Sequence, residues 1–235
     1  MDIIKKNSVY IVILLSIILS FIYLSKRKKE LGLKSFGILI ISILHAAFFL
    51  ASCKILVNIE YAITHPIHPI PPFSISTGFS FFGNIYIMPI FYIIIALIKR
   101  KNIKNVLDIG TPVILISAFC ARLNCYFSGC CLGMEIGSTG FRVPTRLIEL
   151  LCYISIFIII LYKNKKNKLI PGTAFPIYLI IYGIVRMIEE PFRSNFATDI
   201  IHFAFIHCSI AIAIGTILYL LLSKKYKDKD LKTTL

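Results

Sequence analysis

The sequence lacks any polar stretch long enough to form a soluble domain, and it has no long linker or low-complexity segment. Only 16% of its 235 residues are charged, whereas 57% are hydrophobic and the mean hydropathy is +0.84. Soluble domains of this length have a lower apolar fraction. Long apolar runs recur along the chain, which predicts an all-α integral membrane protein with one polytopic membrane domain over residues 1–235.

Acidic residues are also scarce, with 11 Asp and Glu against 26 Lys and Arg, and the formal net charge is +15. A basic excess of this size is typical of nucleic-acid-binding proteins when it forms one continuous face. Here the basic residues fall in short clusters between apolar runs, which is the pattern of membrane topology. No nucleic-acid partner is therefore expected.

Seven apolar runs each approach the roughly 20 residues that cross a bilayer as a helix. They occupy residues 8–25, 34–53, 77–98, 106–124, 145–162, 171–190 and 197–222. Most basic residues lie in loops 26–34, 99–104 and 163–168 and in the tail after residue 222. If successive runs cross the membrane in alternating directions, these four segments lie on the same side of it. Because basic loops mark the cytoplasm, the N-terminus is predicted outside and the C-terminus inside. The first run is expected to stay as an anchor, since a basic cluster and no cleavage pattern follows it.

This topology places the unusual residues on three outward loops, 54–76, 125–144 and 191–196, and on the adjoining helix ends. Residues 122–133, RLNCYFSGCCLG, bring an arginine, three cysteines and two glycines to the end of a predicted span. Lipid penalises charge, so Arg122 is expected to be functional. Together with Arg142 and Arg146 around a glycine-rich loop, it suits a phosphate group. For Arg146, contact with lipid headgroups in general is an equal alternative.

The end of the sixth run carries charges at helical spacing. Arg186, Glu190 and Arg193 recur at i, i+4 and i+7, which predicts one helical face and a pair between the first two. Pairing would offset much of the roughly 2.5–3.5 kcal/mol that a charge costs inside a membrane helix. Either a structural ion pair or a phosphate site explains the pattern. Glu149, in the fifth run, is a further carboxylate that needs a partner.

No C-x-x-C spacing occurs among the seven cysteines, so the sequence signal for zinc is weak. Four cysteines within apolar runs are interpreted as small core residues: Cys53, Cys120, Cys152 and Cys208. The outward Cys125, Cys130 and Cys131 are compatible with a disulfide from Cys125 to either neighbour, or with zinc binding helped by His65 or His68. A rigid proline-rich loop is the preferred interpretation of the two histidines, and no metal or cofactor is assigned.

Four segments together resemble the prolipoprotein diacylglyceryl transferases, over roughly residues 75–222. Residues 122–133 resemble a cysteine-rich form of the family's signature segment, and residues 144–149, PTRLIE, are similar to its H-P-x-Q-L-Y-E motif. Residues 186–193 match its R-x-x-x-E-x-x-R helix. Residues 78–84, GFSFFGN, look like its histidine-glycine-glycine motif, whose histidine falls on Phe82. The signature asparagine falls on Cys125, and a family glutamate on Cys130.

The resemblance implies transfer of a diacylglyceryl group from phosphatidylglycerol to the lipobox cysteine of a prolipoprotein signal peptide, at the outer face of the bacterial cytoplasmic membrane. It implies that Arg122, Arg186 and Arg193 bind phosphatidylglycerol. The groups that orient them or act as a base are then sought among four side chains: Glu190, Glu149, His65 and His68. Two alternatives stay open. One is a membrane thiol-redox or metal-handling protein, and the other is a non-catalytic lipid-binding relative.

Overall fold

The computed structural model describes residues 2–65, 79–138, 140–166, 168–194 and 202–233. Within these ranges the chain is helical apart from short connections, and it contains no β-strand beyond two isolated antiparallel bridges. The helices are α1 Asp2–Lys26, α2 Lys28–Leu31, α3 Ser35–Thr64, α4 Phe82–Ile98, α5 Ile103–Ser128, α6 Thr145–Lys165, α7 Ala174–Glu189 and α8 Phe203–Thr233.

Five of these helices are long and apolar enough to cross a membrane: α1, α3, α5, α6 and α8. Helix α4 is a shorter apolar helix of 17 residues. Helix α7 has 16 residues and carries Arg186 in its last turn. Among the described residues, each predicted apolar run overlaps a helix, and the chain is a multi-pass membrane protein, since apolar helices pair their own backbone groups in lipid.

The first residues of two predicted loops, 54–76 and 125–144, are helical in the structure. Helix α3 continues beyond residue 53 to Thr64, because no proline interrupts residues 54–64. Helix α5 continues beyond residue 124 to Ser128, where Gly129 closes it in the left-handed conformation with φ of 75°. Cys125 consequently lies on a helix, while Cys130 and Cys131 lie in the loop that follows.

Helix α5 lies at the centre of the bundle, where it packs against α1, α4, α6 and α7. Small residues allow close helix approach elsewhere. A Cβ atom at Gly83 of α4 would collide with the carbonyl oxygen of Ser52 on α3. Close approach through small residues is how membrane helices gain packing energy when lipid removes the hydrophobic drive between them.

Candidate functional site

Three arginines from three segments surround the carboxylate of Glu149 on α6. Arg122, near the end of α5, pairs with its Oε2 atom. Arg186 Nε and Arg193 Nη1 lie 3.6 and 3.5 Å from its Oε1 atom. Arg186 also pairs with Glu190, as the i, i+4 spacing predicts. The Glu149 side chain is only 2% exposed, so the guanidiniums take the place of solvent around it.

The predicted common helical face of Arg186, Glu190 and Arg193 is wrong for its last member. Helix α7 ends at Glu189, and residues Glu190–Phe192 form a single turn of 3-10 helix. Pro191 cannot donate the backbone hydrogen bond that an α-helix needs. Arg193 is extended, with φ of −84° and ψ of 147°, and it forms an antiparallel bridge with Gly133. This bridge brings its side chain to Glu149 from a loop.

Arg142 and Arg146 do not join the cluster, which corrects the prediction that they surround a phosphate with Arg122. Arg142 is exposed and pairs with Glu135 at 3.4 Å. Arg146 Nη1 donates to the Cys125 carbonyl oxygen at 3.0 Å, near the end of α5. Helix α6 begins at Thr145. Glu149, four residues later, lies on the same inward face as Thr145, whereas Arg146 is turned about 100° away from Thr145 around the helix axis.

The ion pairs of the cluster are unequal in charge. Among the described residues, they comprise three guanidiniums and the carboxylates of Glu149 and Glu190. Glu189 is a further buried carboxyl, and the charges of the same three arginines act on it. These ion pairs leave one positive charge unmatched when Glu189 is protonated. An anion with one negative charge would balance it, and guanidinium forks suit a phosphate.

A cavity of about 860 Å³ lies against this cluster. Its wall includes Arg122, Arg186 and Arg193, and it also includes apolar side chains of α1 and α3 such as Val12 and Phe49. The volume is within the range of small-molecule sites, about 300–1,000 Å³. A wall that is both cationic and apolar suits a ligand that combines an anionic group with hydrocarbon chains.

The three cysteines of residues 122–133 converge in the same wall. The Sγ atoms of Cys125, Cys130 and Cys131 all lie within 4.8 Å of one another, and all three are free thiols. Hydrogen bonds with the Cys125 and Cys130 thiols hold the pKa of the Cys131 thiol well below its usual value. Arg122 and Arg193 act in the same direction, while burial opposes them.

The histidines proposed from the sequence are only partly described. His65 ends α3, is exposed and stacks on Tyr61 with ring centroids 4.2 Å apart. It lines the cavity, but it does not belong to the group formed by the three sulfurs. His68 lies outside the described residues. The zinc interpretation that required a histidine therefore finds no support from His65.

Sequence reasoning missed a second polar group beside the cavity. Glu60 of α3 lines the cavity, and its Oε1 atom accepts a hydrogen bond from Ser80 at 2.8 Å. The same oxygen lies 3.0 Å from Nε2 of His207 on α8, whose Nδ1 atom lies 3.0 Å from the Tyr86 hydroxyl. The His207 ring lies 4.9 Å from the ring of Phe82. The available signal was His207, an ionisable residue inside the apolar run 197–222, whereas Glu60 fell in a segment predicted as a loop.

Comparisons with known proteins agree on one family. The family profile described as prolipoprotein diacylglyceryl transferase matches residues 8–221. A protein of Clostridium tetani (strain Massachusetts / E88) named phosphatidylglycerol–prolipoprotein diacylglyceryl transferase is 26% identical over an alignment of 201 residues, which covers 78% of this chain and 79% of that protein. A protein of Finegoldia magna with the same name is 30% identical over an alignment of 166 residues, which covers 66% of this chain and 64% of that protein.

A third protein with that name, from Tropheryma whipplei (strain TW08/27), is 30% identical over 138 residues. The match covers 50% of this chain and 51% of that protein, so the chain spans about half the length of this relative. The family profile, in contrast, extends from α1 to α8. The chain belongs to the prolipoprotein diacylglyceryl transferase family.

Proposed function

We propose that this chain transfers a diacylglyceryl group from phosphatidylglycerol to the lipobox cysteine of a prolipoprotein. The observation that carries the proposal is the placement of Arg122, Arg186 and Arg193 in the wall of a cavity that is otherwise largely apolar. The names of the relatives give the two substrates, and membership of the family supports the reaction type.

The charge of the cluster supports phosphatidylglycerol as the donor. Its phosphodiester carries one negative charge, which equals the charge that the ion pairs of the three arginines leave unmatched when Glu189 is protonated. Its acyl chains would lie against the apolar wall that α1 and α3 provide. Glu149 and Glu190 act as positioning residues, because their carboxylates hold the guanidiniums in one arrangement before the lipid arrives.

In the proposed reaction, a thiolate sulfur attacks the glycerol carbon that carries the phosphate ester. A carbon–sulfur bond forms, the carbon–oxygen bond breaks, and its electron pair leaves with the oxygen of glycerol phosphate. The leaving phosphate gains negative charge as the bond breaks, so its contacts with the arginines strengthen in the transition state. The product on the peptide is a thioether.

We assign the proton acceptor for the thiol to Glu60. Its carboxylate lines the cavity and is held by Ser80 and His207. A carboxylate only accepts hydrogen bonds, so Nε2 of His207 carries the hydrogen in their contact. The imidazole of His207 can therefore stay hydrogen-bonded to Glu60 both before and after Glu60 takes the proton. The adjacent Phe82 offers no such group at the position of the family's motif histidine.

Replacing Glu60 with glutamine is expected to slow transfer while leaving lipid binding intact. General-base catalysis is worth about 10²–10⁴ in rate, and the amide keeps the shape of the carboxyl group but cannot take the proton. The measurement is the initial rate of diacylglyceryl transfer in vesicles, together with retention of phosphatidylglycerol. Glu30→Gln is the matched control, since Glu30 is an exposed glutamate paired with Arg27 between α1 and α3. A Glu60→Gln rate equal to that of the control would contradict the assignment.

We further propose one membrane domain over residues 1–235, with seven spans, the N-terminus outside and the C-terminus in the cytoplasm, within the bacterial cytoplasmic membrane. Contacts between basic loops support this topology. A Cβ atom at Gly32 would lie 2.9 Å from the Lys101 side chain, and one at Gly172 would lie 3.1 Å from Lys104. Two of the four basic segments thus meet at one end of the bundle, and Gly172, a few residues after the third segment, lies beside them, as the cytoplasmic end requires.

The direct test uses the purified protein in vesicles that contain phosphatidylglycerol and a peptide with a lipobox cysteine. We expect the peptide to gain the mass of one diacylglyceryl group on that cysteine. Vesicles of phosphatidylcholine alone and a peptide with serine at the same position are the controls, and neither should give product. If phosphatidylglycerol copurifies but the peptide gains no mass, the chain binds the lipid without catalysis and the proposed activity is wrong.

A further inference from the structure

The arginine cluster and Glu60 leave the three converging thiols of Cys125, Cys130 and Cys131 without a role. None of the three is fully buried, and all three line the cavity. Three sulfur ligands at short mutual distances are the donor set that thiophilic metal ions select. Their placement beside a site that handles a thiol substrate suggests that the two features act together.

The spacing of the sulfurs fits zinc. Ligands about 2.3 Å from a tetrahedral zinc ion lie roughly 3.8 Å apart. The three Sγ atoms already lie within 4.8 Å of one another, so side-chain adjustments of under about 1 Å would bring them to bonding distance. Among the described residues, no fourth histidine, cysteine, aspartate or glutamate joins this group. Three protein ligands with one open position are the arrangement of catalytic zinc, whereas structural zinc has four.

The backbone that carries the sulfurs is held in place before any metal binds. Cys131 has φ of 57°, a left-handed conformation that costs a residue with a Cβ atom about 1–2 kcal/mol. Thr145 Oγ1 donates to the carbonyl oxygen of Cys131 at 3.3 Å, and Arg146 donates to that of Cys125 at 3.0 Å. An unfavourable conformation held by its neighbours points to a functional constraint on the loop.

We propose that Cys125, Cys130 and Cys131 bind one Zn²⁺ ion as thiolates, and that its open fourth position faces the cavity and takes the incoming thiol. The metal site stands on the geometry of the sulfurs. The identity of the incoming thiol as a prolipoprotein cysteine rests on the proposed function. The interpretation of the sequence alone assigned no metal and left zinc binding by these cysteines as a weakly supported alternative.

Zinc would supply what thiol alkylation needs. A thiol that coordinates zinc loses its proton, which here passes to Glu60, and the bound sulfur keeps a lone pair for attack on the glycerol carbon. As the carbon–sulfur bond forms, the thioether becomes a weaker ligand and leaves the metal, while glycerol phosphate takes the electron pair of the broken carbon–oxygen bond. Zinc does not change its oxidation state, so no oxidant or reductant is required.

The metal site is tested by the zinc content of the full chain, purified with reductant and without chelator. We expect about one zinc per chain in the parent protein and less than about a tenth of that in the Cys130→Ser/Cys131→Ser double variant. Serine keeps the backbone and volume but is a poor zinc ligand. Cys152→Ser is the matched control, because Cys152 lies partly buried on α6 and does not line the cavity. Zinc absent from the parent, or retained by the double variant, would overturn the proposal.

The open position is tested with Co²⁺ in place of Zn²⁺, since the visible bands of cobalt report its ligands. Addition of the lipobox peptide is expected to change these bands, and the peptide with serine should not. An unchanged spectrum would show that the thiol does not reach the metal. Undiminished transfer by the zinc-free double variant would overturn the zinc proposal and leave the transferase proposal standing. If zinc and cobalt bind but no diacylglyceryl group is transferred, the proposed transferase activity is overturned and the metal site stands.

Discussion

Replacing Arg122 with alanine is expected to reduce diacylglyceryl transfer by about 10²–10³, the usual cost of removing one donor that stabilises developing negative charge. Arg122 is 6% exposed and lines the cavity, so water cannot readily replace its guanidinium. The fold should persist, because Glu149 keeps contacts with Arg186 and Arg193 at 3.6 and 3.5 Å. The measurements are the initial transfer rate and the amount of phosphatidylglycerol that copurifies.

Two further variants sharpen this result. Arg122→Lys keeps the charge but loses the planar fork, so its rate should fall between those of the parent and the alanine variant. Arg142→Ala is the control, because Arg142 is a nearby arginine that is exposed and paired with Glu135 outside the cluster. If Arg122→Ala and Arg142→Ala transfer at the same rate, Arg122 does not hold the phosphate.

Replacing Glu149 with glutamine is expected to destabilise the protein by about 3–5 kcal/mol, because three guanidiniums then share one remaining carboxylate in a buried site. The amide preserves the shape of the side chain, so the loss reports charge. Thermal unfolding in detergent measures it, at roughly 2–4 °C for each kcal/mol in a chain of this size.

A compensating variant separates charge imbalance from lost packing. Glu149→Gln combined with Arg193→Gln removes one positive and one negative charge, and it should recover part of the lost thermal stability. Glu135→Gln is the control, since an exposed ion pair such as Glu135–Arg142 contributes about 0–1 kcal/mol. A melting temperature for Glu149→Gln equal to that of Glu135→Gln would show that the cluster is not held together by this carboxylate.

The candidate site was predictable from the sequence where its contacts are local. The four-residue spacing of Arg186 and Glu190 predicted their ion pair, since such residues are neighbours on one helical turn. The same rule failed three residues later, because Pro191 ends the helix and Arg193 reaches Glu149 from an extended segment. Helical spacing predicts which residues are neighbours only within a continuous α-helix.

Contacts between distant segments were beyond the sequence. Glu149 appeared as a carboxylate without a partner, yet it is the centre at which α5, α6 and the segment after α7 meet. Glu60 and His207 are 147 residues apart in the chain and share one hydrogen bond. The residues that flank Glu60 and His207 in the sequence give no sign that the two side chains are in contact. Such pairs depend on how the helices pack, which is a property of the whole bundle.

The amino-acid sequence by itself determined that this is a helical membrane protein, because long apolar runs have no other stable arrangement in lipid. It also predicted candidate site residues, since charge and reactive thiols are rare in such runs. Only the tertiary structure decided how they act together. It selected Arg193 rather than Arg142 for the cluster and brought three sulfurs to one point, because side chains on separate segments meet only when those segments pack.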